Sequence, residues 1–138
     1  MKMALKSEAK LDRERLRPCI CVVDDDDAVR DSLDLFLSLK GMNVVAFGSA
    51  RPLLDCDTAL AAHLLILDVH MPGMDGFTLL EALRLRGVAA PVILMSGLGD
   101  RHIAARAEVS GAAAFFEKPI DPQALLATVR QLLGGSTA

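Results

Sequence analysis

Short apolar runs alternate with stretches of helical periodicity five times between residues 19 and 133. The runs cover residues 19–23, 43–47, 64–67, 91–95 and 114–117. The first and third are continuously apolar, as expected for strands buried on both faces of a parallel sheet. Alternation of strands with helices is typical of repeated βα units. The pattern therefore predicts an α/β protein with five parallel strands and five helices.

The ends of the predicted helices carry recognisable signals. The first helix begins at about Asp26, where acidic residues favour a helix N-terminus, and ends at Gly41. Ser49 is a candidate N-cap for a short second helix. Asp121 and Pro122 are the N-cap and first residue of the last helix. The remaining two helices are predicted at about 77–86 and 100–109.

Length and charge divide the chain into one domain with short flanking segments. The 138 residues suit a single hydrophobic core. Formal charge is 15 − 18 = −3; residues 1–17 contribute 6 − 3 = +3 and the rest −6. We predict a basic, flexible extension over 1–17, a folded domain over 18–133, and a tail or linker start over 134–138.

Several protein classes are disfavoured. No apolar run approaches the ~18 residues of a membrane span, and the first residues lack the apolar core of a signal peptide. The chain is therefore predicted to be cytoplasmic and free of the membrane. Its three cysteines, Cys19, Cys21 and Cys56, form no metal-binding or redox spacing and are predicted to be reduced. The acidic body makes direct nucleic-acid binding unexpected.

Reactive side chains follow four of the five predicted strands: Asp24 with Asp25, then Asp68, Ser96 and Lys118. The carboxyl ends of parallel strands meet at one edge of a sheet, so these groups are expected to form one site. Crowded carboxylates favour a hard divalent cation, and Mg²⁺ commonly bridges carboxylates to phosphate. Asp68 can then act as a phosphoryl-accepting nucleophile, with Lys118 and Ser96 meeting the phosphoryl oxygens. No nucleotide-binding loop is visible, so the phosphoryl group must come from a separate donor.

Four motifs in the right order resemble the receiver domains of bacterial two-component response regulators. They are VVDDD at 22–26, LDVHMPGMDG at 67–76, MSG at 95–97 and FEKP at 116–119. The resemblance covers residues 19 to about 133 and is nearest to receivers of nitrogen-fixation and related LuxR-type transcription regulators. It implies a flavodoxin-like, doubly wound sheet with strand order 2-1-3-4-5, and makes 18–133 the receiver domain.

The resemblance also implies roles for individual residues. Asp68 matches the phosphoacceptor, which also contacts the metal; Asp25 matches the direct Mg²⁺ ligand and Asp24 the neighbouring acid. The backbone carbonyl of His70 matches a further metal ligand.

Three more residues match the family's phosphate contacts and switch. Ser96 matches the hydroxyl residue that moves toward the phosphate. Lys118 matches the phosphate-binding lysine, whose bond to the following proline is often cis. Phe115 occupies the place of the rotating aromatic switch.

The implied partners are a sensor histidine kinase or histidine phosphotransfer protein upstream, and a downstream effector or a missing output domain. Dimerisation on phosphorylation is also implied as a possible response. Nothing after residue 133 suggests a helix-turn-helix, so the DNA-binding output of the subfamily is not expected in this sequence. Such a protein is a signalling receiver that catalyses only its own phosphorylation and dephosphorylation.

The same residues admit other interpretations. Asp26 and Asp27 are better explained as helix-capping acids than as metal ligands. Phe116 competes with Phe115, because neighbours on a strand face opposite sides. The chain could be a degenerate receiver that acts as a phosphate-independent interaction module. It could also be a phosphatase of the haloacid-dehalogenase type, since residues 25–29 match DxDx[TV], although the later acidic pair and cap of that class are missing.

Overall fold

The structure, a computed structural model, describes residues 17–97 and 101–134. Most of the extension predicted at 1–17, the first residue of the helix predicted at 100–109, and most of the tail predicted at 134–138 lie outside the described residues. The run 96–100, which contributed to the subfamily resemblance, is described only as far as Gly97.

Five parallel strands form one sheet in the order β2-β1-β3-β4-β5. They are β1 (Cys19–Val23), β2 (Asn43–Phe47), β3 (Leu64–Asp68), β4 (Val92–Ser96) and β5 (Ala114–Glu117). The strands begin and end within a residue of the predicted positions. The predicted fold class and strand order are confirmed.

Five α-helices connect or follow these strands, as predicted. They are α1 (Asp27–Leu39), α2 (Ala50–Leu54), α3 (Gly76–Leu85), α4 (Arg101–Val109) and α5 (Pro122–Leu132), with a 3₁₀ turn at Thr58–Ala61. Asp26, Asp75 and Asp121 cap α1, α3 and α5 by accepting backbone N–H bonds through their carboxylates. Ser49 occupies the N-cap of α2, but its hydroxyl makes no capping bond.

The sheet is buried on both faces because its central strands carry apolar residues at every position except the last of β3 and of β4. On β1, Cys21 and Val23 pack with α2, α3 and α4, whereas Ile20 and Val22 pack with α1 and α5. The same alternation along β3 and β4 completes two separate hydrophobic cores. The two cores fix the register of the strands, and with it the positions of the residues at their ends.

The three cysteines form no disulfide. Cys19, Cys21 and Cys56 are free thiols, as predicted. Burial raises the pKa of Cys21 to about 12, so this side chain is a neutral, small hydrophobic group near neutral pH. Among the described residues, every helix is too short or too polar to cross a lipid bilayer.

Gly76, the first residue of α3, touches the backbone at the end of β3. A Cβ built on Gly76 would lie 2.4 Å from the carbonyl oxygen of Asp68 and 3.0 Å from Cα of Val69. The Gly76 N–H also donates to the Val69 carbonyl, at 2.9 Å. This contact requires a residue without a side chain and folds the loop over 69–75 back onto the strand end.

We predict that Gly76→Ala destabilises the protein by about 1–3 kcal/mol, because the added methyl group must displace backbone atoms of β3. Urea denaturation measures the change. Gly97→Ala is the control, since its Cβ would meet no described atom within 4 Å, and we expect a change of less than about 0.5 kcal/mol. Equal stability of Gly76→Ala and the wild type would contradict the close approach.

Candidate functional site at the carboxyl edge of the sheet

The predicted site residues gather where the strand order changes direction. From β1 the chain moves outward to β2 and then returns to β3 on the other side of β1. Asp24 directly follows β1, and Asp68 is the last residue of the neighbouring strand β3. Open α/β sheets bind ligands in the crevice at this topological switch point.

Three carboxylates meet in this crevice. One oxygen from each of Asp24, Asp25 and Asp68 lies within 4.8 Å of the others. Asp24 and Asp68 are buried, at 0% and 3% exposure, whereas Asp25 is exposed to solvent. Like charges at this separation repel by about 3 kcal/mol per pair at an effective dielectric constant of ~20. The cluster therefore requires positive charge close by.

Lys118 supplies part of that charge. Its Nζ lies 2.8 Å from Asp24 Oδ2 and 3.3 Å from Asp68 Oδ2, so one ammonium bridges the two buried carboxylates. The backbone N–H of Lys118 donates to the Ser96 carbonyl oxygen at 2.7 Å. This bond holds Lys118 against the end of β4. The Lys118–Pro119 peptide bond is cis.

The protonation equilibria reflect this balance. Burial, followed by the negative charge of Asp24, raises the pKa of Asp68 to about 6, and Lys118 only partly opposes the shift. Burial disfavours the charged ammonium of Lys118, but the hydrogen bond to Asp24 and the charges of both carboxylates outweigh this and raise its pKa. Asp68 is therefore a carboxylate whose negative charge the single ammonium does not fully compensate.

Asp24 is held by contacts in four directions. Its N–H donates to the Phe47 carbonyl at 3.1 Å, and its carbonyl accepts from Arg30 Nη1 at 2.8 Å. Its Oδ1 accepts the N–H of Asp26 at 2.9 Å, while Oδ2 meets Lys118 and accepts no further hydrogen bond from described residues. The backbone and the side chain of Asp24 are thus both fixed.

Ser96 ends β4 beside Asp68, with which its neighbour Met95 is in register. The residue is 1% exposed, and its Oγ is buried without a hydrogen-bond partner among the described residues. A buried, unpartnered hydroxyl costs free energy unless a ligand or rearrangement satisfies it. This hydroxyl is therefore available to an incoming polar group.

The two aromatic candidates face opposite sides of β5, as strand geometry requires. Phe115 packs against the core that includes α4, and Phe116 packs against the core that includes α5. Both side chains are half-buried. His70 lies on the loop two residues after Asp68, and its side chain is exposed.

The donor set fits Mg²⁺. Oxygen ligands from few carboxylates, with one side open to water, are what this cation prefers, and the exposed Asp25 provides the open side. Within residues 17–97 and 101–134 the two buried carboxylates share one ammonium, so a divalent cation would complete the charge balance. Asp26 and Asp27, by contrast, belong to α1: Asp26 caps it and Asp27 lies in its first turn, as predicted.

Sequence reasoning missed two residues that touch the site. Arg30 binds the Asp24 carbonyl, and Gly76 packs on the Asp68 backbone. The Arg30 contact could in principle be predicted from the sequence, because residue 30 lies one turn into a helix that starts beside Asp24. The Gly76 contact depends on the path of a loop, which local patterns do not specify.

A sequence profile of the response regulator receiver domain family matches residues 20–130. The match covers most of the chain, so the protein belongs to this family of two-component signalling domains, as the motifs had indicated. Receiver domains of response regulators act in phosphorylation-activated signalling. They interact with histidine kinases and output domains, and they bind Mg²⁺ at an acidic pocket. The family is a signalling family and not typically an enzyme family.

Individual relatives point the same way. The chain is 45% identical over 115 residues to the transcriptional regulatory protein FixJ of Azorhizobium caulinodans, covering 83% of this chain and 54% of FixJ. It is 39% identical over 114 residues to the transcriptional regulatory protein TdiR of Thauera aromatica, covering 83% of this chain and 50% of TdiR. The chain thus spans about half the length of the curated relatives it matches.

A solved structure reproduces the fold. The crystal structure of FixJ-N superposes with a TM-score of 0.77 at 30% identity, over 88% of this chain and 97% of that one.

We predict that Asp68→Asn stabilises the protein at about pH 7.5 in the presence of a chelator, by on the order of 2 to 3 kcal/mol. The folded pKa of Asp68, about 6, lies above its ordinary value of 3.8, so the fold favours the protonated acid. That contribution is complete below the ordinary pKa and is lost as the pH rises through the folded pKa.

The difference between Asp68→Asn and the wild type should therefore fall below about 1 kcal/mol near pH 4. Urea denaturation at both pH values measures it. A difference that is the same at both would show that the charge of Asp68 is not disfavoured by the fold.

Proposed function

We propose that the chain is a receiver that accepts a phosphoryl group on Asp68 in a Mg²⁺-dependent reaction and changes its interaction surface in response. The observation that carries this proposal is the bridge of Lys118 between two buried carboxylates, beside a third that is exposed. A structural ion pair would need one acid, whereas this site holds more negative charge than its lysine balances.

Each site residue has a separate role in this reaction. Asp24, Asp25, Asp68 and the carbonyl of His70 would hold the cation, which supplies charge neutralisation to the phosphoryl oxygens when bound. An Asp68 oxygen forms the new bond to phosphorus as the bond from phosphorus to the donor's histidine nitrogen or acyl oxygen breaks. Lys118 then exchanges its contact with the Asp68 carboxylate for one with a phosphoryl oxygen.

Ser96 connects this chemistry to the rest of the fold. Its Oγ, buried and without a hydrogen-bond partner in the described part of the chain, can donate to a phosphoryl oxygen. Movement of Ser96 toward the phosphate frees space for Phe115 to turn, which reshapes the surface of α4, β5 and α5. The response is a shift between two populated conformations, biased by charge at one end of the sheet.

The partners follow from the family. The donor is a sensor histidine kinase or a histidine phosphotransfer protein, and the receiver domain occupies residues 18–133. The matched segment covers 54% of FixJ and 50% of TdiR, which are named as transcriptional regulatory proteins. An output domain or a separate effector therefore receives the signal, and dimerisation through the altered surface is a candidate response.

We predict that Asp68→Asn abolishes Mg²⁺-dependent labelling by acetyl phosphate or a phosphohistidine donor, because the substituted amide is not a nucleophile. Phosphate-affinity electrophoresis or intact-protein mass spectrometry, which detects the added phosphoryl group, gives the readout. The phosphatase alternative places the nucleophile on Asp25 instead. Normal labelling of Asp68→Asn, or loss of labelling only in Asp25→Asn at saturating Mg²⁺, would overturn the receiver mechanism.

We also predict that fluoroberyllate, a phosphoryl mimic, binds only in the presence of Mg²⁺ and shifts the NMR signals of α4, β5 and α5. The shifts arise because Ser96 and Phe115 change position when the mimic is bound. Failure to bind would favour the phosphate-independent interaction module. Binding without changes on that surface would exclude the proposed switch while leaving the acceptor chemistry intact.

A further inference from the structure

Arg30, on the second turn of α1, lies against the loop after β1, the first residue of α1 and the loop after β2. Its Nη1 donates to the Asp24 carbonyl at 2.8 Å, and its Nη2 pairs with the Asp27 carboxylate. The guanidinium also covers Gly48, after β2, where a Cβ would lie 3.2 Å from Nη1. Its side chain is only 21% exposed, so this contact is partly shielded from water.

The Asp24 carbonyl belongs to the peptide group that joins Asp24 to Asp25. Peptide groups are planar, so fixing the direction of this carbonyl fixes the plane and the position of the Asp25 N–H and Cα. Asp24 itself is anchored by its N–H and both carboxylate oxygens. Arg30 holds the carbonyl group of the Asp24–Asp25 peptide, next to the exposed acid Asp25.

We propose that Arg30 is a positioning residue for the metal site: it sets the Asp24–Asp25 peptide so that the exposed carboxylate of Asp25 faces Asp24 and Asp68. This inference rests on the proposed Mg²⁺-dependent function. The planar guanidinium suits the task because its two arms fix their partners in one geometry, which a lysine ammonium does not do. Residues that orient ligands in this way commonly contribute 10- to 100-fold to metal affinity.

The charge of Arg30 and its positioning contact predict opposite effects on Mg²⁺ affinity. A guanidinium beside an acidic cluster repels an incoming cation, so removal of its charge alone would tighten Mg²⁺ binding. Removal of its positioning contact would weaken Mg²⁺ binding, because the Asp24–Asp25 peptide could rotate. The sign of the change therefore separates the two roles.

The experiment measures the Mg²⁺ dissociation constant of the purified chain by isothermal titration calorimetry; the sequence has no Trp or Tyr to report binding by fluorescence. We expect Arg30→Met to weaken binding on the order of tenfold. Arg30→Lys, which keeps the charge and loses the fork, should weaken it several-fold. In both variants the NMR signal of the Asp25 amide should shift in the metal-free protein, which reports the peptide plane without any metal.

Arg86→Met is the matched control. Arg86 also donates to a backbone carbonyl, that of Leu54, and lies 3.8 Å from the carboxylate of Asp57, but it lies away from the cluster. We expect its Mg²⁺ affinity to match the wild type. Circular dichroism melting confirms that each variant is folded at the assay temperature, and Arg30→Lys decides the question if Arg30→Met is not.

Unchanged or tighter Mg²⁺ binding in the Arg30 variants, with binding by the wild type intact, would overturn the positioning role alone. Absence of Mg²⁺ binding by the wild type would instead overturn the proposed function. The two failures are therefore distinguishable in the same titration series.

Discussion

The ammonium of Lys118 lies between two buried carboxylates at the ends of neighbouring strands, and the remaining site depends on this contact. Burial of Asp24 and Asp68 side by side is unfavourable unless positive charge accompanies them. One lysine reduces the repulsion without removing it, as the raised pKa of Asp68 shows. A cation bound in the crevice would neutralise this residual negative charge, and any group that adds or removes charge there would change the protonation of Asp68.

This arrangement is maintained because the strands cannot change their register. Apolar side chains fill both faces of β1, β3 and β4, so a slip of one residue would exchange the two cores. The register pairs Val23 with Leu67 and Asp68 with Met95, which places the acids side by side and sets Ser96 one residue beyond. Hydrophobic packing away from the site thus offsets the unfavourable free energy of holding like charges together.

Sequence patterns predicted the sheet, the helices and the gathering of Asp24, Asp68 and Lys118, because these follow from periodicity and from the geometry of parallel strands. They did not predict the contacts made by backbone carbonyls. Arg30 and Gly76 act on the carbonyls of Asp24 and Asp68, and every residue has a carbonyl, so no residue type marks such a partner. Ser49 shows the converse: a suitable N-cap residue stands in place without forming the bond.

The site has a buried side and an exposed side, and the division matches two different tasks. Asp24, Asp68 and Ser96 are shielded from water, where charge interactions are strong. Ser96 is in register with Glu117 of β5, two residues after Phe115. Asp25 and His70 face solvent, where a hydrated cation and a bulky donor can approach. A fully buried cluster would admit neither, and a fully exposed one would be screened by water and salt. Asp68 is buried but adjoins the exposed Asp25, so the proposed phosphoryl transfer from a donor in solvent would change the charge balance of the interior.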